Sequence, residues 1–365
     1  MMPALPLAKP EAIGVDPARF NQAIELSKKW AAADQVPAAG VCVGRRGRAI
    51  EPFFAGAAKA DSLFLVASLT KPLTVTAAMI LVERGLIALD DRVANFVPKF
   101  AANGKKDVRV RNLMTHTSGL PDMPPDNLQL RRERRPLSAF IESTCRLPLL
   151  FEPGTKVNYQ SMGTAMLGEV VHQVSGVTLP EFLAKEVFAP LGMAETSLGW
   201  VEAKKDRILP VRLPKESTVH EAVWNTSYWL GFGAPWGGLI TSPADYARLC
   251  VAMLNGGKLG DGRILSAASV RAMTANQLQG MPGIPEEDRR CRPWGLGWRL
   301  NWPAHSANFG DLLGPRSFGH WGSTGTLAWC DPDTESFAVL LTTQPQDPDG
   351  RFLARLSNAI GAALI

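Results

Sequence analysis

Ser68-Leu-Thr-Lys71 sets a hydroxyl and an amine three residues apart, immediately before the apolar stretch Pro72-Leu-Thr-Val-Thr-Ala-Ala-Met-Ile-Leu81. Residues three apart share one face of a helix. A serine with an amine one turn on can act as a nucleophile beside its base. The recurrence of Ala77, Ile80 and Leu81 predicts a helix, and Gly85 is placed to end it. Pro72 fits only in the first turn, where backbone N–H groups lack intrahelical partners, so Ser68 and Lys71 belong at the helix start. With 19 serines and 14 lysines in the chain, the spacing alone favours the plainer reading, a capped core helix.

Two further clusters could join the pair. Tyr159-Gln-Ser161 lies on the approach to a second helical pattern, and Tyr159 is one of only three tyrosines. His320-Trp321-Gly322-Ser323 closes a strand-like run. Trp321-Gly-Ser323-Thr-Gly325 is one residue short of a Gly-x-Ser-x-Gly elbow, but a further strand pattern follows where that elbow needs a helix, which argues against Ser323 as nucleophile. None of the five histidines is spaced for metal with another His or Cys. The expectation is no metal and no cofactor.

Taken in order, Ser-x-x-Lys, Tyr-x-Ser and His-x-Gly resemble the three active-site motifs of the serine β-lactamase and penicillin-binding-protein superfamily. Leu113-Met-Thr-His-Thr-Ser-Gly-Leu-Pro121, Pro190-Leu-Gly-Met193 and Gly237-Gly-Leu-Ile-Thr-Ser-Pro-Ala-Asp-Tyr246 resemble segments of its class C-like branch, which includes family VIII carboxylesterases. The resemblance implies that Ser68 is acylated and that Lys71 and Tyr159 share the proton transfers, with either one as base. It implies an oxyanion hole from the backbone N–H groups of Ser68 and Ser323, Ser161 orienting Lys71, and His320, Trp321 and Gly322 as the substrate-side strand.

Departures from the pattern bear on substrate. Many β-lactamases and peptidases of the superfamily carry Lys-Thr-Gly where this chain has His320-Trp321-Gly322. An imidazole is mostly neutral at pH 7, which weakens recognition of a substrate carboxylate. Ser161 in place of asparagine removes an amide that could hold a substrate acylamide. These features favour a serine hydrolase of small uncharged carboxylic esters. The alternatives are a β-lactamase, a D-amino-acid peptidase or amidase, an acyltransferase using the same residues, and a catalytically silent acyl-binding sensor.

The elements that must carry these residues come from both ends of the chain. Asp16-Pro17 opens a helix bearing Phe20, Ile24 and Trp30, and Ala39–Val43 with Ala49–Phe54 reads as a hairpin around Gly44-Arg-Arg-Gly-Arg48. Ser317–His320, Gly325–Cys330 and Ser336–Thr343 are strand-like, and residues 350–364 form a closing helix. Between them Ser161–Val174, Thr178-Leu-Pro-Glu181 and Ser242-Pro-Ala-Asp245 signal helices. The fold class is therefore α+β, an α/β sandwich. By the resemblance it has a five-stranded antiparallel sheet built from both termini and flanked by helices, with a large helical insertion. Residues 1–365 form one catalytic unit, with an α/β part near 1–70 and 286–365 and a helical part near 71–285. Two aromatic stretches, Trp224–Trp236 and Trp294–Trp302, suit the walls of an apolar pocket.

Composition bounds the rest. The chain is 46% hydrophobic and 20% charged with a net charge of +5, ordinary for a globular protein. Arg131-Arg-Glu-Arg-Arg135 reads as a solvated loop or helix end rather than a nucleic-acid patch. No apolar segment approaches a membrane span, no leader pattern opens the chain, and five scattered cysteines suit reduced thiols in the cytoplasm. The expected partner is a small-molecule ester, with no nucleic acid and no membrane. Oligomeric state is left open.

Overall fold

A computed structural model of the chain describes residues 4–214, 223–301, 309–345 and 351–365. Its central layer is an antiparallel sheet drawn from both chain ends. The strands are β1 (Ala38–Arg45), β2 (Phe53–Gly56), β3 (Phe318–Gly322), β4 (Thr326–Asp331) and β5 (Ser336–Thr342). They lie in the order β2-β1-β5-β4-β3, and two-residue strands at Arg48–Ala49 and Arg299–Leu300 extend the sheet to seven. The principal helices are α1 (Pro17–Ala32), α2 (Thr70–Glu83), α3 (Ser161–Ser175), α4 (Pro243–Leu254) and α5 (Arg351–Gly361).

Every residue of β4 and β5 is buried, so the two-residue period of the strands shows in which core each side chain joins. Val41, Val43, Leu327, Trp329, Ala338 and Leu340 enter a core shared with the terminal helices. Cys42, Ala328, Cys330, Phe337, Val339 and Leu341 enter a larger core shared with the inserted helices. A sheet covered on both faces is why the strands read as continuous apolar runs rather than alternating ones.

Local signals account for the helix ends. The Asp16 carboxylate accepts the N–H groups of Ala18 and Arg19 at 2.8 and 3.0 Å, and Pro17 occupies the first turn of α1. Thr178 and Glu181 form a reciprocal capping box, and Ser242 Oγ accepts Asp245 N–H at 3.2 Å at the start of α4. α2 ends with Gly85 at φ +68°, which lets Leu86 N–H reach back to the Leu81 carbonyl at 3.0 Å. As a core helix, α2 is buried on every side from Thr70 to Leu81, because it packs against α3 within the larger core. Among the described residues, no helix is long and apolar enough to cross a membrane.

Candidate active site

Ser68 sits on a tight turn between a short strand and α2. Phe64–Leu65 pairs with Leu239–Thr241, and Ala67 then takes φ +46°, a left-handed conformation that costs a non-glycine residue about 1–3 kcal/mol. Thr70 clamps the turn, its Oγ1 donating to the Ala67 carbonyl at 2.6 Å and accepting Leu239 N–H at 3.0 Å. The turn after β3 and the first residue of β4 are tied to the same segment. Thr324 Oγ1 donates to the Leu65 carbonyl at 2.7 Å and Thr326 Oγ1 to the Val66 carbonyl at 2.9 Å. A Cβ on Gly322 would stand 2.2 Å from the Val66 carbonyl oxygen, so this approach requires glycine. It brings Ser68 and Ser323 to the wall of one cavity.

Lys71 lies one turn into α2 and is 1% exposed. Its Nζ donates to Ser68 Oγ at 2.9 Å and to the Trp236 carbonyl at 3.0 Å. Burial lowers the ammonium pKa from its ordinary 10.5 to about 7, with Asp122 pulling weakly the other way. Desolvation produces the shift, not neighbouring cations, and it makes a neutral amine available at physiological pH. Tyr159 completes the group. Lys71 Nζ lies 4.7 Å from its ring centre. Burial raises the Tyr159 phenol far above its ordinary value, opposed by a side-chain hydrogen bond with Ser68. At neutral pH the phenol therefore keeps its proton. Ser68, Lys71 and Tyr159 meet within hydrogen-bonding and ring-contact reach, an arrangement able to deprotonate a hydroxyl and return the proton to a leaving group.

Residues 23–362 match the family model described as beta-lactamase. The chain belongs to the beta-lactamase family. This is a superfamily of serine hydrolases. A protein of Escherichia coli (strain K12) that carries the provisional name D-alanyl-D-alanine carboxypeptidase is 28% identical over 319 residues, covering 80% of this chain and 71% of the relative. Among solved structures, a penicillin-binding-protein homolog from Caulobacter crescentus superposes with a TM-score of 0.79 at 24% identity, covering 96% of this chain and 99% of its own. A family VIII carboxylesterase superposes with a TM-score of 0.76 at 24% identity, covering 95% and 99%. At these identities the structural likeness is one of fold.

Within this beta-lactamase-family chain the other expected site residues divide. Ser68, Tyr159, Ser161 and Ser323 line a cavity of 160 Å³ together with Asp122 and three tryptophans, Trp224, Trp229 and Trp236. Ser161 is not bonded to Lys71 as the resemblance implies. Its backbone N–H goes to Asp122 Oδ1 at 2.7 Å, and the Lys71 amine is already held by Ser68 and Trp236. His320 lies outside the cavity wall, buried beside the rings of Tyr159 and Trp294. Its Nδ1–H donates to the Trp321 carbonyl at 2.8 Å, and burial holds its pKa down at about 3. Trp321 points to the opposite face, where it joins the terminal-helix core and meets Phe309 edge-on. Adjacent strand residues face opposite ways, so His320 on the site side excludes Trp321 from it.

Several contributors carry no plain sequence signal. Asp122 directly follows the Leu113–Pro121 segment, yet its place at the cavity comes from tertiary folding. His116, at φ +60°, packs tilted against Tyr159 and edge-on against Trp294, with ring centres 4.6 and 4.3 Å away, and accepts Gln160 N–H at 3.2 Å. It thereby holds the loop that presents Tyr159. Arg131 is not solvated as its basic run suggests. It is 1% exposed, with its guanidinium 4.1 Å from the Trp229 ring. Of the second aromatic stretch, Trp294 and Trp298 are buried, and Trp302 lies outside the described residues.

Proposed function

We propose that this protein hydrolyses small carboxylic esters through an acyl-enzyme on Ser68. The observation that carries the reading is the Lys71 amine, 2.9 Å from Ser68 Oγ and poised near neutrality by burial. Neutral Lys71 takes the Ser68 proton as Oγ attacks the ester carbonyl carbon. The backbone N–H groups of Ser68 and Ser323 receive the developing oxyanion. When the C–O bond breaks, the alkoxide takes a proton from Tyr159, which is recharged by the Lys71 ammonium. Water then attacks the acyl carbon with the same groups used in reverse, releasing the acid and restoring Ser68.

Substrate charge and size support an ester over a lactam or a peptide carboxylate. No lysine or arginine lines the cavity among the described residues, and His320 is neutral and withdrawn from it. A volume of 160 Å³ falls well below the roughly 300–1,000 Å³ of sites that enclose drug-sized ligands, and suits a short acyl chain. The named activity of the Escherichia coli relative favours a D-peptide carboxypeptidase as the second reading. The five scattered, unpaired thiols, four of them buried, suit a reducing setting, and the proposed partner is a small ester.

A panel of p-nitrophenyl butyrate, nitrocefin and a D-alanyl-D-alanine peptide separates the readings. Esterase function predicts kcat/KM highest on the butyrate by at least two orders of magnitude. Equal or reversed values would overturn it.

A further inference from the structure

Behind the cavity wall lies a guanidinium that the hydrolytic scheme does not use. Arg131, on the short helix Asn127–Arg132, is 1% exposed and is not part of the cavity lining. Its Nε donates to Asn127 Oδ1 at 2.8 Å, but Nη1 and Nη2 have no hydrogen-bond partner among the described residues. Burial lowers its pKa to about 10, with Tyr228 and Asp122 pulling the other way, so the group is still charged at neutral pH. A buried cation with two unpaired nitrogens is costly, and its fork matches the two oxygens of a carboxylate.

Trp229 stands between this group and the cavity. The indole lines the cavity, and the Arg131 guanidinium lies 4.1 Å from its ring centre. It has little freedom to swing. Phe232 stacks on it with ring centres 5.4 Å apart and planes 14° apart, and Phe232 in turn meets Phe140 and Trp236 edge-on at 5.3 and 5.9 Å. The Trp229 N–H donates to Thr226 Oγ1 at 3.3 Å at the start of the helix Ser227–Phe232. The Tyr228 hydroxyl donates to the Arg135 carbonyl at 2.7 Å, which ties that helix to the segment carrying Arg131. A wall packed in this way sets a fixed limit on ligand length, because close-packed rings do not yield to an extra methylene.

We infer that Trp229 is a specificity-determining residue: it restricts the ester to short groups and bars a substrate carboxylate from Arg131. The choice of substrates rests on the ester-hydrolase reading; the wall itself does not. Either end of an ester can meet the wall, so two series are compared, p-nitrophenyl esters from acetate to octanoate and acetates of ethyl to octyl alcohols. For the native protein kcat/KM in one series falls about tenfold for each methylene past the limit. In Trp229→Ala the ratio of the longest to the shortest member of that series rises by about a hundredfold over its native value. The opened variant also comes to favour an acid at the chain end. The pairs are p-nitrophenyl hydrogen adipate against p-nitrophenyl 6-methylheptanoate, and 5-acetoxypentanoate against 5-methylhexyl acetate, each corrected for uncatalysed hydrolysis. The acid-to-neutral ratio in the matching pair rises about tenfold over the native ratio, the size of one charge-assisted hydrogen bond, and falls back in the double variant Trp229→Ala, Arg131→Met.

Trp229→Phe, which keeps a ring against Phe232, gives intermediate values of both ratios and decides the outcome if the alanine variant does not fold. Ratios within each variant leave changes in absolute rate aside. Alkyl fluorophosphonates of the same lengths, read as the rate of Ser68 labelling, repeat the length test without ester turnover. Discrimination among these probes that depends on Trp229, with no ester hydrolysed, keeps the wall and sinks the esterase reading. Chain-length ratios unchanged in the folded Trp229 variants overturn the length limit. An acid preference that fails to rise, or that survives Arg131→Met, overturns the bar on carboxylates.

Discussion

Along β4, Leu327 and Trp329 enter the core beneath the terminal helices, while Thr326, Ala328 and Cys330 face the inserted helices. The first face is filled with apolar side chains and edge-on rings, such as Trp30 against Phe352 at 5.0 Å. The second face is apolar over most of its area but at one end holds groups that burial disfavours. These are a lysine 1% exposed, a neutral histidine whose Nε2 has no partner among the described residues, and Ala67 in a left-handed conformation. Stability and reactivity are thus divided between the two faces of the sheet. A strained, poorly solvated site persists because the opposite layer is well packed.

The largest effect that would sharpen this division comes from Lys71→Met. Loss of the base should cut kcat/KM by about 10⁴-fold. It should also raise stability by about 2 kcal/mol at pH 7. The lowered amine pKa costs the native state about 4 kcal/mol there, against about 1–3 kcal/mol for leaving the Trp236 carbonyl unpaired. A destabilised variant in a denaturant melt would break the picture of a costly buried amine. Tyr159→Phe removes the proton donor while keeping the ring against His116 and Trp294, and should lower kcat/KM by about 10²–10³-fold with the fold unchanged by circular dichroism.

On the other face, Leu340→Ala should cost about 2–4 kcal/mol of stability and leave kcat/KM within about twofold, measured below the unfolding transition. An activity loss of tenfold or more in the folded variant would mean that the two layers are coupled. The most gradual effect is in pH dependence. The neutral amine is the active form, so kcat/KM should rise with pH through an apparent pKa near 7. Between that value and 10.5 the unfolded chain binds more protons at Lys71 than the native one. This group's contribution to stability therefore improves as pH rises across that window, and Lys71→Met should abolish that slope.

What could be read in advance was local. Asp16, Thr178 and Ser242 announce their helices because a cap needs only residues within one turn. Ser68 and Lys71 share a face by the helical period alone, and the order of three short motifs carried the fold. The direction of Trp321 could not be read, because a sheet buried on both faces loses the polar–apolar alternation that marks its sides. Arg131 sits in a basic run that looks solvated, but its guanidinium is held by the Trp229 ring, far along the chain, and by its Nε bond to Asn127 Oδ1 at 2.8 Å. The carbonyl of Trp236, which holds Lys71, is a backbone group and leaves no trace in residue type. The resemblance gives Ser161 to Lys71, whereas the Lys71 amine here goes to Ser68 and Trp236, and the Ser161 backbone N–H separately serves the cap of α3 on Asp122.

A fluorophosphonate probe, read by intact mass and peptide mapping, bears most directly on the acyl-enzyme. The account predicts a single phosphonyl adduct on the peptide carrying Ser68, formed faster above pH 7 than below it and absent in Ser68→Ala. An adduct on Ser161 or Ser323, or none at all on the folded protein, would contradict it.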